Sequence, residues 1–281
     1  MIIDFHTHTF PEAIAGKAIE KLSVASGTVP YLNGTADSLA KSEKNAGIDL
    51  SVVLPVATNP LKCGRINEIS AEENSTGKGL LCFGAIHPDC PDWKEELDHI
   101  VSLGLKGIKL HPVYQGIDFN DVRTLRILER AGQLGLIVVT HAGDDIGFPG
   151  EVRCSPEMIA DAVNQIGAVK LVLAHMGGWN CWEKAEAVLC ELPVFIDTSF
   201  SVGSVRTRID GRFGGKDIHF MADDDFLRMM NRFGYKRLLF GTDSPWSDQK
   251  ESLDRIKNLP IGEEIKNAVL GANAKELLGI A

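Results

Sequence analysis

What most constrains the fold is an alternation that runs the length of the chain. A short, mostly aliphatic run stops at a polar residue or glycine, and a stretch of helical period follows before the next run begins. The apolar runs fall at 2–8, 51–57, 80–87, 107–112, 136–143, 170–178, 194–198 and 237–243. Between them lie helical patterns at 12–22, 36–46, 67–76, 93–103, 122–134, 156–166, 182–191 and 226–233, with a helical tail at 263–280 expected to pack on the outside. Strands that are apolar throughout belong to a parallel sheet covered on both faces. Eight such units close an α/β barrel of the (β/α)8, or TIM, type, and 281 residues suit one barrel domain over 1–281.

Two stretches exceed what a connection needs. The Gly-, Ser- and Pro-containing segment 23–34 follows the first strand, and 199–225, rich in Gly and Arg, follows the seventh. Both read as elaborated loops over the barrel mouth, and loops of this length are often functional. The run Asp223-Asp224-Asp225 puts anions at the start of the next helix, where its dipole favours them.

Several function classes fall away. A formal net charge of -9, without a cluster of basic residues, makes a nucleic-acid backbone an improbable partner. No apolar stretch approaches the roughly 18 residues of a membrane span, and no basic segment precedes an apolar run at the start, so a cytoplasmic protein without a membrane partner is expected. The 6 cysteines include no Cys-x-x-Cys pair and read as reduced thiols.

In a barrel of this type the chemistry sits where the strands end. Those ends carry His6, His8, His87, Lys109, His111, His141, His175, Asp197 and Asp243. So many ionisable groups are costly to bury unless they bind a metal or one another. Strand alternation would set Asp4, His6 and His8 on one face of the first strand, with Phe5 and Thr7 on the other.

The motifs Asp-Phe-His-Thr-His at 4–8, Lys-Leu-His-Pro at 109–112, Thr-His-Ala-Gly at 140–143, Ala-His-Met-Gly-Gly at 174–178 and Gly-Thr-Asp-Ser-Pro-Trp at 241–246 occur in that order. Together they resemble the metal-dependent amidohydrolase superfamily, in the branch that holds aminocarboxymuconate-semialdehyde decarboxylase, resorcylate decarboxylases and lactone hydrolases. The stretch 271–279 resembles that branch's closing helix. The resemblance implies that His6, His8, His141 and Asp243 ligate one divalent ion. Zinc suits this set, with manganese, iron or cobalt as other occupants. It also implies that His175 and Asp243 act catalytically on the activated water or the substrate. Some relatives carry a carboxylated lysine where Lys109 stands; the other role for Lys109 is a barrel-interior lysine paired with Asp4 or Asp197.

Small-molecule contacts are expected from His111, from Trp179 and Trp246 as pocket walls, and from Arg206 and Arg208 as forks for a carboxylate. Arg212 and Arg153 are further candidates. His87 reads as structural, while His99, within a helix, and His219 have no assigned role. The activity implied is hydrolysis of an amide, ester or lactone in a small carboxylated substrate; the alternative is metal-dependent, non-oxidative decarboxylation of a small aromatic or unsaturated acid. The resemblance is compatible with a homodimer. A deoxyribonuclease of the TatD type would place a glutamate at the fourth strand, where this chain has Ile108-Lys109-Leu110-His111. A phosphatase of the polymerase-and-histidinol type would show an early Thr-Asp-His, which is missing. A non-catalytic binding barrel would be expected to lack one of the ligands or His175.

Overall fold

The structure, a computed structural model, describes residues 1–216 and 218–280, with His219 as backbone only. Strand β1 (Ile3–Thr7) pairs in parallel with β2 (Leu50–Val53), and β2 with β3 (Leu80–Cys82, resuming as Gly84–Ala85 beyond Phe83). The parallel order continues through β4 (Gly107–Leu110), β5 (Ile137–Thr140), β6 (Lys170–Leu173), β7 (Phe195–Asp197) and β8 (Leu238–Leu239). The Phe5 N–H donates to the Phe240 carbonyl at 2.7 Å and the Asp243 N–H to the His6 carbonyl at 2.8 Å. These bonds lay the last strand against the first and close the barrel.

Several helices start where the sequence supplies a side-chain oxygen for their free N–H groups. Thr35 caps Ala36–Ala46, Asp121 caps Val122–Gln133 and Ser155 caps Pro156–Gln165. Asp223–Phe233 instead takes its acidic run into its own first turn. Ile100, Ile127, Ile159, Leu189, Met229 and Phe233 fill the space between helices and barrel wall. A second cluster of Phe5, Phe83, Val139, Val172 and Leu239 fills the interior, and Ala274 and Leu277 of the last helix (Asn273–Leu278) join it. The tail therefore seals the floor of the barrel, where the sequence pattern had suggested its outside. Gly271 permits this, because a Cβ there would overlap the Met1 carbonyl.

The first strand departs from simple alternation. Asp4 lies opposite Ser51 but Thr7 opposite Val53, so β1 advances three residues while β2 advances two. This β-bulge turns one extra residue and re-aims those after it. Phe5 points into the barrel and meets Phe83 edge-on at 6.0 Å. Asp4 points away, accepting from the Thr242 N–H at 3.0 Å, the Thr242 hydroxyl at 2.6 Å and Gln249 Nε2 at 2.8 Å. The expected shared face of Asp4, His6 and His8 is thus corrected: Asp4 belongs to the outer layer, where it braces the β1–β8 seam.

Glu43 is buried in that same layer. Burial pushes its carboxyl up to about 8, and the charge of Asp4 adds to the rise, against a hydrogen bond with Ser51. Between its ordinary 4.5 and about 8, the unfolded chain releases a proton that the folded chain keeps, so stability falls as pH rises through that window. Glu43→Gln removes this term. The variant should match wild type in urea midpoint near pH 4 and exceed it near pH 9; parallel midpoints at both would mean that Glu43 ionises freely in the fold. No helix among the described residues is long and apolar enough to cross a membrane.

Candidate metal centre and active site

His6 and His8 leave the bulged end of β1, and Asp243 follows β8 just across the seam. Gly241 makes room between them, since a Cβ there would lie 3.0 Å from that of His6. Asp243 and His175 both hold left-handed backbone, with φ of 64° and 61°. Such conformations cost about 1–3 kcal/mol each in non-glycine residues and gather at functional sites.

The hydrogen bonds behind each imidazole decide what it offers in front. His6 Nδ1 donates to Asp197 Oδ2 at 2.8 Å, and His8 Nδ1 to the Leu54 carbonyl at 2.8 Å. Both Nε2 atoms therefore present lone pairs. They face each other at 3.2 Å, with Asp243 Oδ1 at 3.4 Å from His6 and 3.0 Å from His8. Burial, together with the nearby charge of Lys109, lowers His6 to about 3, so His6 brings no second ring proton to this contact. The one donor among the described residues that reaches this group is Lys109 Nζ, 3.1 Å from His6 Nε2. It leaves His8 and Asp243 as two facing acceptors. An acceptor-only group of this kind fits a cation, and its separations match neighbouring donors around an ion roughly 2.1 Å from each.

Asp197 anchors this arrangement. Burial alone would raise its carboxyl, but His6 and Ser199 hold it well below the usual range. It also accepts the backbone N–H groups of His175 and Ser199, each at 3.0 Å. Asp197→Asn keeps the shape but weakens the hold on His6 Nδ1–H, and metal affinity should fall about 10–100-fold. Competition with a chelating dye would measure it, and unchanged affinity would remove Asp197 from the centre.

A second group, His111, His141 and Asp145, also brings three ligand-type atoms together. Its geometry is poorer. The rings of His111 and His141 stack 4.3 Å apart and only 11° from parallel, so their in-plane lone pairs do not converge. The rings of His6 and His8 stand at 72°, and theirs do. His141, expected as a fourth ligand, lies outside the mutually close group of His6, His8 and Asp243. Its Nε2 donates to the Asp144 carbonyl at 3.0 Å, and its Nδ1 faces His175 Nε2 at 3.1 Å. His175 Nδ1 donates to the Ser199 carbonyl at 3.0 Å, so this second facing pair is again lone pair against lone pair. Burial lowers the basicity of His141 and His175, and both line the same cavity as the first group.

Lys109 is buried, and burial pushes its ammonium down to about 8. Its contact is His6 rather than the expected Asp4 or Asp197; Asp4 lies on the other side of the wall. His111 lines the cavity, stacked on Tyr114 at 3.7 Å, with Nε2 3.4 Å from Asp145 Oδ2. Trp179 and Trp246 line it too. Arg206 and Arg208 do not, and their assignment to substrate is corrected. Arg206 stacks over Tyr31 at 3.7 Å, while Arg208 pairs with Asp210 at 2.9 Å and Glu20 at 3.1 Å. Arg212 bonds the Ser26 carbonyl, and Arg153 pairs with Glu151 and Asp118. His87 accepts the Asp89 N–H in a turn. The side chain of His219 lies outside the described residues. Asp145, Tyr114 and Ser199 were missed. Asp145 could have been suspected from its place four residues after His141, whereas nothing local marks Ser199.

A family model described as "Amidohydrolase" matches residues 3–280. No curated protein sequence matches the chain. Among solved structures, the chain is similar to 5-carboxyvanillate decarboxylase from Sphingomonas paucimobilis, at 14% identity and TM-score 0.69 over 100% of this chain and 99% of that one. It is similar to a probable 2-pyrone-4,6-dicarboxylic acid hydrolase from Acinetobacter baumannii, at 16% identity and TM-score 0.66 over 99% of each. It is also similar to a dihydroxybenzoic acid decarboxylase from Polaromonas sp. JS666 with bound manganese, at 15% identity and TM-score 0.70 over 99% of this chain and 96% of that one. At such identities the likeness is one of fold.

Proposed function

This chain belongs to the amidohydrolase family and is an enzyme, and from that premise we propose that it hydrolyses an amide, ester or lactone in a small carboxylated substrate, with zinc as its ion. The observation that carries the reading is the acceptor-only group of His6 Nε2, His8 Nε2 and Asp243 beside His175 in a cavity open to solvent. When bound, a divalent ion there supplies positive charge that polarises the carbonyl and acidifies water. His6, His8 and Asp243 would hold it, with His141 nearby in the same cavity as the further candidate. Three imidazoles and a carboxylate suit zinc, and manganese, iron and cobalt share the preference.

The chain's own residues then handle the proton. His175, neutral and with its Nδ1–H committed to the Ser199 carbonyl, has Nε2 free to accept from water. Oxygen from water joins the acyl carbon, the carbon–heteroatom bond breaks, and the proton passes from His175 to the leaving atom. Trp179 and Trp246 wall the substrate, and His111, held against Asp145, offers a polar contact.

Decarboxylation is the second reading, favoured by the decarboxylases among the relatives of like fold. It uses the same donors, with a proton delivered to carbon as carbon dioxide leaves. A panel of lactones, esters, amides and aromatic acids separates the two when run in 18O-labelled water with carbon dioxide monitored. One labelled oxygen in the product acid and no carbon dioxide supports hydrolysis. Carbon dioxide release with the other bonds kept would replace the first reading by the second.

A further inference from the structure

Lys109, 1% exposed, takes no part in the hydrolytic steps. The β-ladder sets it beside Ala85 of β3 on one side and Val139 of β5 on the other, with Val172 next in line. Val139 and Val172 belong to the apolar interior, so the lysine stem rises from an apolar floor and carries its Nζ up to the cavity. A cation is costly to bury there unless it is paired. Among the described residues Lys109 makes no ion pair, because the two carboxylates whose charge it feels are engaged elsewhere. Asp197 accepts from His6 Nδ1, from the Ser199 hydroxyl and from two backbone N–H groups. Asp243 Oδ1 lies against His6 and His8.

The hydrogen bond that Lys109 does make runs to His6 Nε2 at 3.1 Å. A ring nitrogen has one lone pair, and this is the one that His6 turns towards His8 and Asp243. Ligation by His6 and donation by Lys109 therefore exclude each other. Once His6 holds an ion, the N–H groups of Lys109 need another acceptor. Its neighbours on the ladder are apolar, so that acceptor enters from the cavity, at the place where the reacting groups meet.

We infer that Lys109 is a catalytic residue, whose Nζ–H donates to the oxygen of the scissile carbonyl. As water's oxygen joins the acyl carbon, the carbonyl electron pair moves onto that oxygen, and the hydrogen bond from Lys109 holds the charge there. The pair returns when the carbon–heteroatom bond breaks, and Lys109 keeps its proton throughout. This rests on the hydrolase reading and adds to it a donor aimed at developing charge, a kind of group worth about 10²–10³ in kcat.

The test compares the zinc-loaded full chain with Lys109→Met, which keeps the bulk of the stem on the apolar floor and removes every N–H. Zinc affinity, by competition with a chelating dye, should rise about tenfold in the variant, since nothing then competes for His6 Nε2. Inorganic phosphate, a tetrahedral oxyanion in place of the hydrated carbonyl, should bind the zinc-loaded variant about tenfold more weakly by calorimetry. On an ester, amide or lactone that wild type turns over, kcat should fall about 10²–10³ while KM holds. Lys109→Gln, which keeps an N–H on a shorter, uncharged stem, should lie between the two, and it serves if Lys109→Met does not fold. Loss of zinc in the variants, with a carbon dioxide increment in the intact mass of wild type, would overturn the inference and make Lys109 a carboxylated ligand. Phosphate affinity and kcat that neither substitution alters would reduce it to a part of the barrel wall. Hydrolysis that survives Lys109→Met sinks this inference alone; a wild type that hydrolyses none of these compounds, while zinc and phosphate respond as stated, sinks the hydrolase reading instead.

Discussion

Asp243→Ala should empty the metal centre, taking elemental analysis from about one ion per chain to almost none. Of the three groups that converge on one point, Asp243 brings the only charge, and its Oδ1 reaches both His6 and His8. Without it two imidazoles remain, with Lys109 Nζ 3.1 Å from one of them. An ammonium that close repels a divalent cation, and the missing carboxylate no longer offsets it. Activity should fall roughly a thousandfold or more, because the several kcal/mol of charge stabilisation supplied by the ion goes with it. Full metal content in the variant would remove Asp243 from the centre and move attention to the facing pair of His141 and His175.

His175→Ala should give the opposite pattern, a chain that keeps its ion and loses turnover. His175 lies outside the mutually close group, and its ring stacks on that of His6 at 5.3 Å without sharing a hydrogen bond with it. On the proposed reading it contributes a proton acceptor whose tautomer is set from behind, and removing such a group costs about 10²–10⁴ in rate. A variant that loses the ion and activity together would make His175 a ligand. Near-normal turnover would make its left-handed backbone an incidental feature of the Ala174–Gly178 turn.

The barrel was readable in advance because its signal is redundant: eight apolar runs, eight helical stretches and ionisable residues at the same end of most strands. The β1 bulge was not readable. One extra residue in a five-residue strand leaves no mark on a period-two pattern, yet it turns His6 to the site side of the wall while Asp4 stays on the outer side. The tail was misplaced because Ala274 and Leu277 look alike in sequence whether they cover a barrel's side or its floor. Arg206 and Arg208 were misread for a related reason. A guanidinium shows its charge in the sequence but not its partner, and here Tyr31, Asp210 and Glu20 are the partners. His6, His8 and Asp243 came together as the motifs implied. The groups that fix their tautomers, Asp197 and the Leu54 carbonyl, become visible only when distant strands are side by side.

The seam between β1 and β8 bears on how the protein matures. Its three converging donors come from strands that lie some 235 residues apart in sequence, so no partly built barrel can capture metal through them. A nascent or fragmentary chain ending before β8 would carry His6 and His8 alone, a weak and exchangeable pair. On the proposed ligand set, metal capture would be a late checkpoint in biogenesis, one that reports a completed ring rather than a merely collapsed chain.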